Sequence, residues 1–297
     1  MSLTSCTLST VDSDKTENRF WFEDGNIVLE IESKYFKVHR DKLMSSLVFS
    51  TMLELPQPES VESHDGCPLV QLSQDAIQDW ITALNWMYDR SSFELRSTTL
   101  DTIAGALRIS TKYEVSDLRL WCKQQLLLRW PADLSEMSTT AMTNSAEAIC
   151  LARDFDVPEI LPAAFYALSV QRWAKGIDGG RSHLILSPDD LRRLIIGREE
   201  LQERLTDLLT NWDPRANSVV FRLCRMCQPS CMSWLSSQLL PPSHSPYGCW
   251  LIHDLRQMSV KGFDGLHLCK GCGSDFRRNV DDFVRQLQAA VPGYFTL

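Results

Sequence analysis

The residues best equipped to do chemistry in this chain are two C-x-x-C pairs, Cys224/Cys227 and Cys269/Cys272. Two thiolates on one tight turn can reach a single ion at about 2.3 Å, and two such turns complete the tetrahedron of a structural zinc site. Gly271 and Gly273 flank Cys272, which suits the backbone of a metal knuckle. The 41 residues between the pairs exceed the usual ribbon spacing. Cys231, Cys249, His244, His253 and His267 are further candidate ligands, any of which could replace one of the four. Two other states are open to the same cysteines: reduced thiols buried as small hydrophobes, or a redox pair. Neither C-x-x-C follows a βαβ pattern, which argues against the redox state. No open coordination position is implied, so the expected zinc is structural and not catalytic.

His39 is the other residue that invites a chemical reading, because it starts a helix beside a strand with acids nearby in sequence. The alternative is a buried histidine bonded to backbone or to Asp24, holding the junction in place. No nucleophile motif accompanies it, since G-x-S-x-G and H-E-x-x-H are both absent. Cys122 and Cys150 lie on apolar helical faces and read as core. The chain is therefore expected not to be an enzyme.

The elements that must position these residues fall into a clear order. Ile27, Leu29 and Ile31 alternate with Val28 and Glu30, the period of a strand. A short polar connector, Glu32-Ser33-Lys34, leads to Phe36 and Val38 alternating with Tyr35 and Lys37, so a hairpin is expected. The period then turns helical, with Leu43, Leu47, Val48, Phe49 and Met52 spaced to bury one face over two short helices. Residues 68–72 predict a third strand. Ile77, Trp80, Ile81, Leu84 and Tyr88 form a helical stripe, and Leu100, Ile103, Ala104 and Leu107 another, with Thr98 or Thr99 as its cap. Ser116 is expected to cap a helix carrying Leu118, Trp121, Cys122 and Leu126.

Beyond Pro131 the pattern stays helical. Asn144 or Ser145 can cap a helix with Ile149, Ala152 and Phe155, and Pro158 opens the next, with Leu161, Phe165 and Leu168 on one face. Residues 177–182 read as a loop. Ser187-Pro188-Asp189-Asp190 is a strong start signal: Ser as cap, Pro first, acid third. A long helix should follow through Leu191, Leu194, Ile195, Leu201, Leu205, Leu208 and Trp212, ending at Asp213-Pro214. After that glutamate disappears, cysteines cluster, and residues 241–246 form a stiff Pro-rich loop. Long apolar stripes look scarce there, apart from Phe283, Val284, Leu287 and Val291, so this segment is expected to need a metal staple.

Several of these residues together resemble a BTB/POZ domain. FKVHR followed by SSLVFSTM is similar to the first half of its signature, GCPLVQLS and residues 84–88 to its middle, and ALRISTKYEV to its closing helix turn. The wording DGNIVL, LPQP and GCP is similar to BTB proteins abundant in mushroom-forming fungi. The resemblance covers about residues 19–130, less than half the chain. It implies an α+β fold: a small sheet with a helical cluster, followed by an all-α extension and a small cysteine-bearing C-terminal segment. The division expected is a disordered tail at 1–18, the BTB/POZ domain at 19–130, a helical BACK-like extension at 131–213 and a zinc-stabilised segment at 214–297.

The resemblance also implies function. His39 becomes a structural residue. BTB domains grip other proteins and commonly pair with themselves through the N-terminal segment and first helix, here residues 20–23 and 40–44. Trp21-Phe22 stands out as a candidate contact patch, while Trp80, Trp86, Trp121 and Trp130 fall at core-phase positions. Some members dock a cullin as substrate adaptors of ubiquitin ligases, using a hydrophobic-x-Glu motif after the Phe-x-x-Met helix. The matching stretch here is Leu55-Pro56-Gln57-Pro58-Glu59, where Glu59 fits but Gln57 is not hydrophobic, and this departure counts against a cullin partner.

Composition sets outer bounds. The 297 residues, 44% hydrophobic and 23% charged, suit a soluble chain with room for two domains. No run of eighteen apolar residues and no secretory h-region is visible, so cytoplasm or nucleus is the expected compartment and no membrane partner is expected. The formal charge of −8 is uneven, because residues 215–297 carry nine Lys/Arg against five acids. The acidic body argues against nucleic acid as a general partner. The basic tail leaves transcriptional regulation as an alternative to the adaptor and plain interaction roles.

Overall fold

The computed structural model describes residues 18–56, 62–94, 98–173, 182–210, 223–240, 245, 247–263 and 265–297. The architecture is mixed α+β, with one small sheet and a majority of helix. The chain divides into two compact units, Met1–Gln124 and Gln125–Leu297. The expected tail, the Gln57 and Glu59 positions, the 177–181 loop, the Asp213-Pro214 stop and most of the Pro-rich loop lie outside the described residues.

The N-terminal unit holds a four-stranded sheet in the order β2-β1-β4-β3. Strands β1 (Ile27–Ile31) and β2 (Lys34–Val38) form the expected antiparallel hairpin, with Ile27 opposite Val38. Its loop is only Glu32-Ser33, both at positive φ, the twist that suits a two-residue hairpin; Lys34 already belongs to the strand. Strand β4 (Cys67–Gln71) runs parallel to β1, with Val28 beside Leu69, and ends one residue before the expected Leu72. Strand β3 (Ser63–His64) pairs antiparallel with β4 through Asp65-Gly66, also both at positive φ. The expected alternation in β1 gives way to burial on both faces: Val28 is as inaccessible as Ile27 and Leu29. A strand whose two faces are both covered reads as a continuous apolar run, not as an alternation.

Helices α1 (Arg40–Leu43) and α2 (Leu47–Glu54) are interrupted at Ser45-Ser46. Ser46 restarts the helix by accepting from the Phe49 N–H at 3.1 Å, and donates to the Tyr113 carbonyl at 2.5 Å. The restart changes the face. Leu43 and Phe49 are buried as expected, but Leu47 and Val48 turn outward. Helix α3 (Ile77–Tyr88) packs on α5 (Leu100–Lys112), with the short α4 (Arg90–Glu94) between them in sequence. Thr99 caps α5 by accepting from the Thr102 N–H. Phe49, Trp80 and Tyr113 pack in mutual ring contact at the centre. Beside them Asp75 accepts from Trp80 Nε1 at 2.9 Å, Lys112 Nζ at 2.6 Å and the Tyr113 hydroxyl. Helix α6 (Ser116–Arg129) follows.

The C-terminal unit is built around α8 (Leu161–Ser169), which is buried almost all round and packs against α7 (Ser145–Asp154) and α9 (Pro188–Thr210). The start of α9 follows its signal: Ser187 Oγ accepts from the Asp190 N–H at 3.1 Å, with Pro188 first. Arg153 and Arg193 then hold the buried Asp190 carboxylate. At α7 the expected cap does not form. Asn144 sits in a left-handed conformation and its side chain makes no capping bond, its Oδ1 accepting from Arg129 at 3.3 Å, and Ser145 Oγ instead donates to the Ala141 and Met142 carbonyls.

Residues 228–294 correct the expectation of a thin core. Helix α10 (Gln228–Leu239) buries Cys231, Leu235 and Leu239; α11 (Leu251–Lys261) buries Leu251, Ile252 and Leu255. Helix α12 (Lys270–Tyr294) buries Cys272, Phe276, Val280, Val284, Leu287 and Val291, an unbroken stripe at spacings of three and four. Phe295 follows, fully buried and stacked on Phe165 of α8. Its ring leaves no room at Gly197 of α9 for even a Cβ. Tyr166 of α8 reaches α11, its hydroxyl accepting from the Ile252 N–H at 2.9 Å.

Candidate metal centre

The two C-x-x-C turns meet. The sulfurs of Cys224, Cys227, Cys269 and Cys272 all lie within 4.8 Å of one another. Each pair sits at the head of a helix. The 224–227 turn closes with the Cys227 and Gln228 N–H groups donating to the Cys224 carbonyl and leads into α10, and Cys269 is the residue from which α12 starts. In both pairs the first cysteine is exposed and the second is buried. The buried members head the apolar stripes of their helices, Cys227 above Cys231 and Leu235, Cys272 above Phe276.

The pairs also exchange hydrogen bonds. The Cys224 N–H donates to Cys272 Sγ at 3.2 Å, and the Cys269 N–H donates to Cys227 Sγ at 3.3 Å. Each buried sulfur thus receives a backbone donor from the opposite turn. The backbone N–H of Cys227 pulls the Cys224 thiol down to about 7, and that of Cys272 lowers Cys269. The N–H of Cys224 draws Cys272 down too, but burial and the neighbouring thiols outweigh it and push that group up to about 12. Cys227 goes up for the same reason, against the pull of the Cys269 N–H. Four sulfurs this close cannot all ionise without a cation among them.

The spare candidates stand apart from this cluster. Cys231 is fully buried one turn below Cys227, its thiol pushed up to about 12 by burial. Cys249 faces Asp254, the His253 ring stacks on Trp250 at 4.1 Å, and His267 is exposed. His244 lies outside the described residues. The spacing of the cysteines was the whole sequence signal; the crossed N–H···S bonds had none, because backbone donors leave no mark on residue type.

The His39 junction is of another kind. The Tyr88 hydroxyl accepts from the His39 backbone N–H and lies 2.9 Å from Nδ1, while Nε2 lies 3.2 Å from the Asp24 carboxylate. One tautomer fits both contacts: Tyr88 O–H donates to Nδ1, and Nε2–H donates to Asp24. Phe22 stacks on Tyr88 and packs on the imidazole. Burial pushes the Tyr88 hydroxyl up to about 12. Both ring nitrogens are engaged, and the contacts tie residues 22–24, the start of α1 and the end of α3 together. Cys122 is fully buried and pushed up to about 12, and Cys150 donates toward the Ile185 carbonyl.

Among the described residues no helix is long and apolar enough to cross a membrane. No protein-family model matches the chain, and no curated protein matches it.

Proposed function

We propose that this chain is a non-enzymatic protein-interaction module of the BTB/POZ type that pairs with itself and recruits other proteins through residues 19–130. The observation that carries the reading is the order of elements around the FKVHR stretch. A hairpin ends at His39, two short helices follow, a strand returns parallel to the first, and a helix pair closes the unit. The corner of α1 and α2 adds support, because Met44, Leu47 and Val48 leave 44%, 59% and 37% of their surface open within five residues. Trp21 is exposed as well. Light scattering of the full chain at micromolar concentration should return twice the monomer mass. A monomer at high concentration would remove the pairing half of this reading.

Zinc in the four-cysteine cluster is the second part of the proposal. Four soft sulfur donors in a closed set suit zinc, which takes thiolates in a tetrahedron and leaves no open position. A divalent cation would draw all four thiols to thiolates, and the crossed N–H···S bonds would offset the excess negative charge. Its role here is to brace the heads of α10 and α12. Elemental analysis should give one zinc per chain, lost in Cys269→Ser. Metal-free protein of unchanged stability would overturn it.

A further inference from the structure

A polar cleft of about 410 Å³ opens between α10 and α11 of the C-terminal unit, and none of the four clustered cysteines lines it. Asp254, Gln257 and Lys261, at spacings of three and four, run one face of α11 along it, and Trp234 lines it from α10. Much of this polar equipment is unspent. Asp254 accepts from the Trp250 N–H at 3.0 Å and faces the Cys249 thiol at 4.0 Å, both on Oδ2, so Oδ1 has no partner among the described residues. The Gln257 amide and the Lys261 ammonium make no hydrogen bond or ion pair among the described residues either.

A helix face turned to open water would explain these residue types but not their burial. Desolvation pushes the Asp254 carboxyl up to about 6, with only the Trp250 N–H pulling it back. Asp254 in turn raises the neighbouring Cys249 thiol and Tyr166 hydroxyl, which stay protonated and neutral. Lys261 acts on His253 instead: with burial it lowers that pKa, so the imidazole at the cleft is neutral too. The cleft thus presents one anion and one cation, separated along α11. A free carboxylate oxygen beside an amide suits the N–H edge of a nucleobase. Trp234, in T-shaped contact with Phe263 at 5.9 Å, offers a ring for a base to stack on. Lys261 lies seven residues beyond Asp254, about 10 Å along the helix axis, the reach of a nucleotide from base edge to phosphate.

We infer that this cleft binds a guanine nucleotide, with Asp254 accepting from the base, Trp234 stacking on it and Lys261 holding the phosphate. Guanine is the base with two adjacent N–H donors on its pairing edge, and a carboxylate accepts both together. Oδ2 keeps a second lone pair for this beside its bond from Trp250. Adenine sets a donor beside an acceptor and matches the carboxylate less well. The volume lies within the roughly 300–1,000 Å³ of small-ligand sites. The site depends neither on pairing through the N-terminal unit nor on a metal among the cysteines.

The test is calorimetric titration of the full chain with guanosine monophosphate, adenosine monophosphate and guanosine. One-to-one binding of guanosine monophosphate is expected, about tenfold tighter than the adenosine nucleotide, the discrimination that one good bidentate base contact supplies, and tighter than guanosine. Asp254→Asn keeps an acceptor for the Trp250 N–H and should erase the preference for guanine. Lys261→Gln, at an exposed side chain, should bind guanosine monophosphate no tighter than guanosine. Should Asp254→Asn fail to fold, Lys261→Gln decides, and unchanged affinity there counts against the site. No saturable binding of guanosine monophosphate at millimolar concentration, equal binding of the two nucleotides, or a guanine preference that survives Asp254→Asn would overturn the inference.

Discussion

Asp75 and Asp254 show how one residue type is used in opposite ways. Burial would raise the Asp75 carboxyl, but the bonds from Lys112, Trp80 and Tyr113 outweigh it and hold the group below its ordinary value of 3.8. A folded pKa below the unfolded one stabilises the protein above pH 4 or so, and that stability is lost as pH falls through the folded value. Asp75→Asn should cost about 1–3 kcal/mol in urea unfolding at pH 7, and the gap from the parent should narrow as pH falls below 3.8 through the lowered folded value. At Asp254 burial wins and pushes the carboxyl up to about 6, although the Trp250 N–H donates to it at 3.0 Å. Its contribution is greatest below about pH 4 and is lost as pH rises through 6. Asp254→Asn, which keeps an acceptor for Trp250, should flatten that slope and leave the protein more stable at neutral pH. Neither aspartate was legible in the sequence, because what matters is the company each keeps after folding. The four cysteines were legible, since C-x-x-C spacing encodes its own local geometry. Which member of each pair would be buried was not.

Elements were legible where one periodicity ruled and lost where two met. The β1–β2 hairpin and the start of α9 follow directly from alternation and from Ser187-Pro188. The β3–β4 hairpin was missed although Asp65-Gly66 is a strong two-residue turn signal, because only two residues pair on its short arm. Leu47 and Val48 were placed inward by a helical period that does not survive the break at Ser46. The α12 stripe escaped notice at its start because Cys272 and Phe276 sit among glycines and charges. What fixes α12 in place is its far end, where Phe295 fills the space opposite Gly197. Gly197→Ala would push a methyl group into that ring, which is fully buried and cannot step aside. Overpacking of this kind costs about 1–3 kcal/mol, a fall in thermal midpoint readable by calorimetry. Ser187→Ala should cost about 1 kcal/mol by the same measurement, through the lost bond to the Asp190 N–H. If the two substitutions are combined, their costs should add only as far as the sites are independent; Ser187 caps α9 and Gly197 lies within it, so a shortfall would mean that the start of the helix yields to relieve its middle.

At the scale of the whole molecule the open question is what covers the α1–α2 corner. Met44, Leu47 and Val48 form a small apolar surface beside a polar break, and single exposed leucines need no explanation, but three neighbours within five residues do. A stable self-association would bury roughly 2,000 Å² or more in all, so this corner can be only the centre of a larger contact, with the exposed Trp21 a candidate for the rest. Leu47→Asp separates pairing from folding. Its side chain is mostly exposed and makes no part of the Phe49–Trp80–Tyr113 core, so the variant should keep the parent's circular dichroism and urea midpoint within about 0.5 kcal/mol. Placed at the middle of an interface, the same charge loses an apolar anchor and must be desolvated, which costs 2 kcal/mol or more, about thirtyfold in dissociation constant. Sedimentation equilibrium over a hundredfold range of concentration should then show the parent as a dimer and the variant shifted toward monomer. A variant that remains as dimeric as the parent would place the contact elsewhere on the N-terminal unit. A parent that is monomeric throughout would remove self-pairing through this corner.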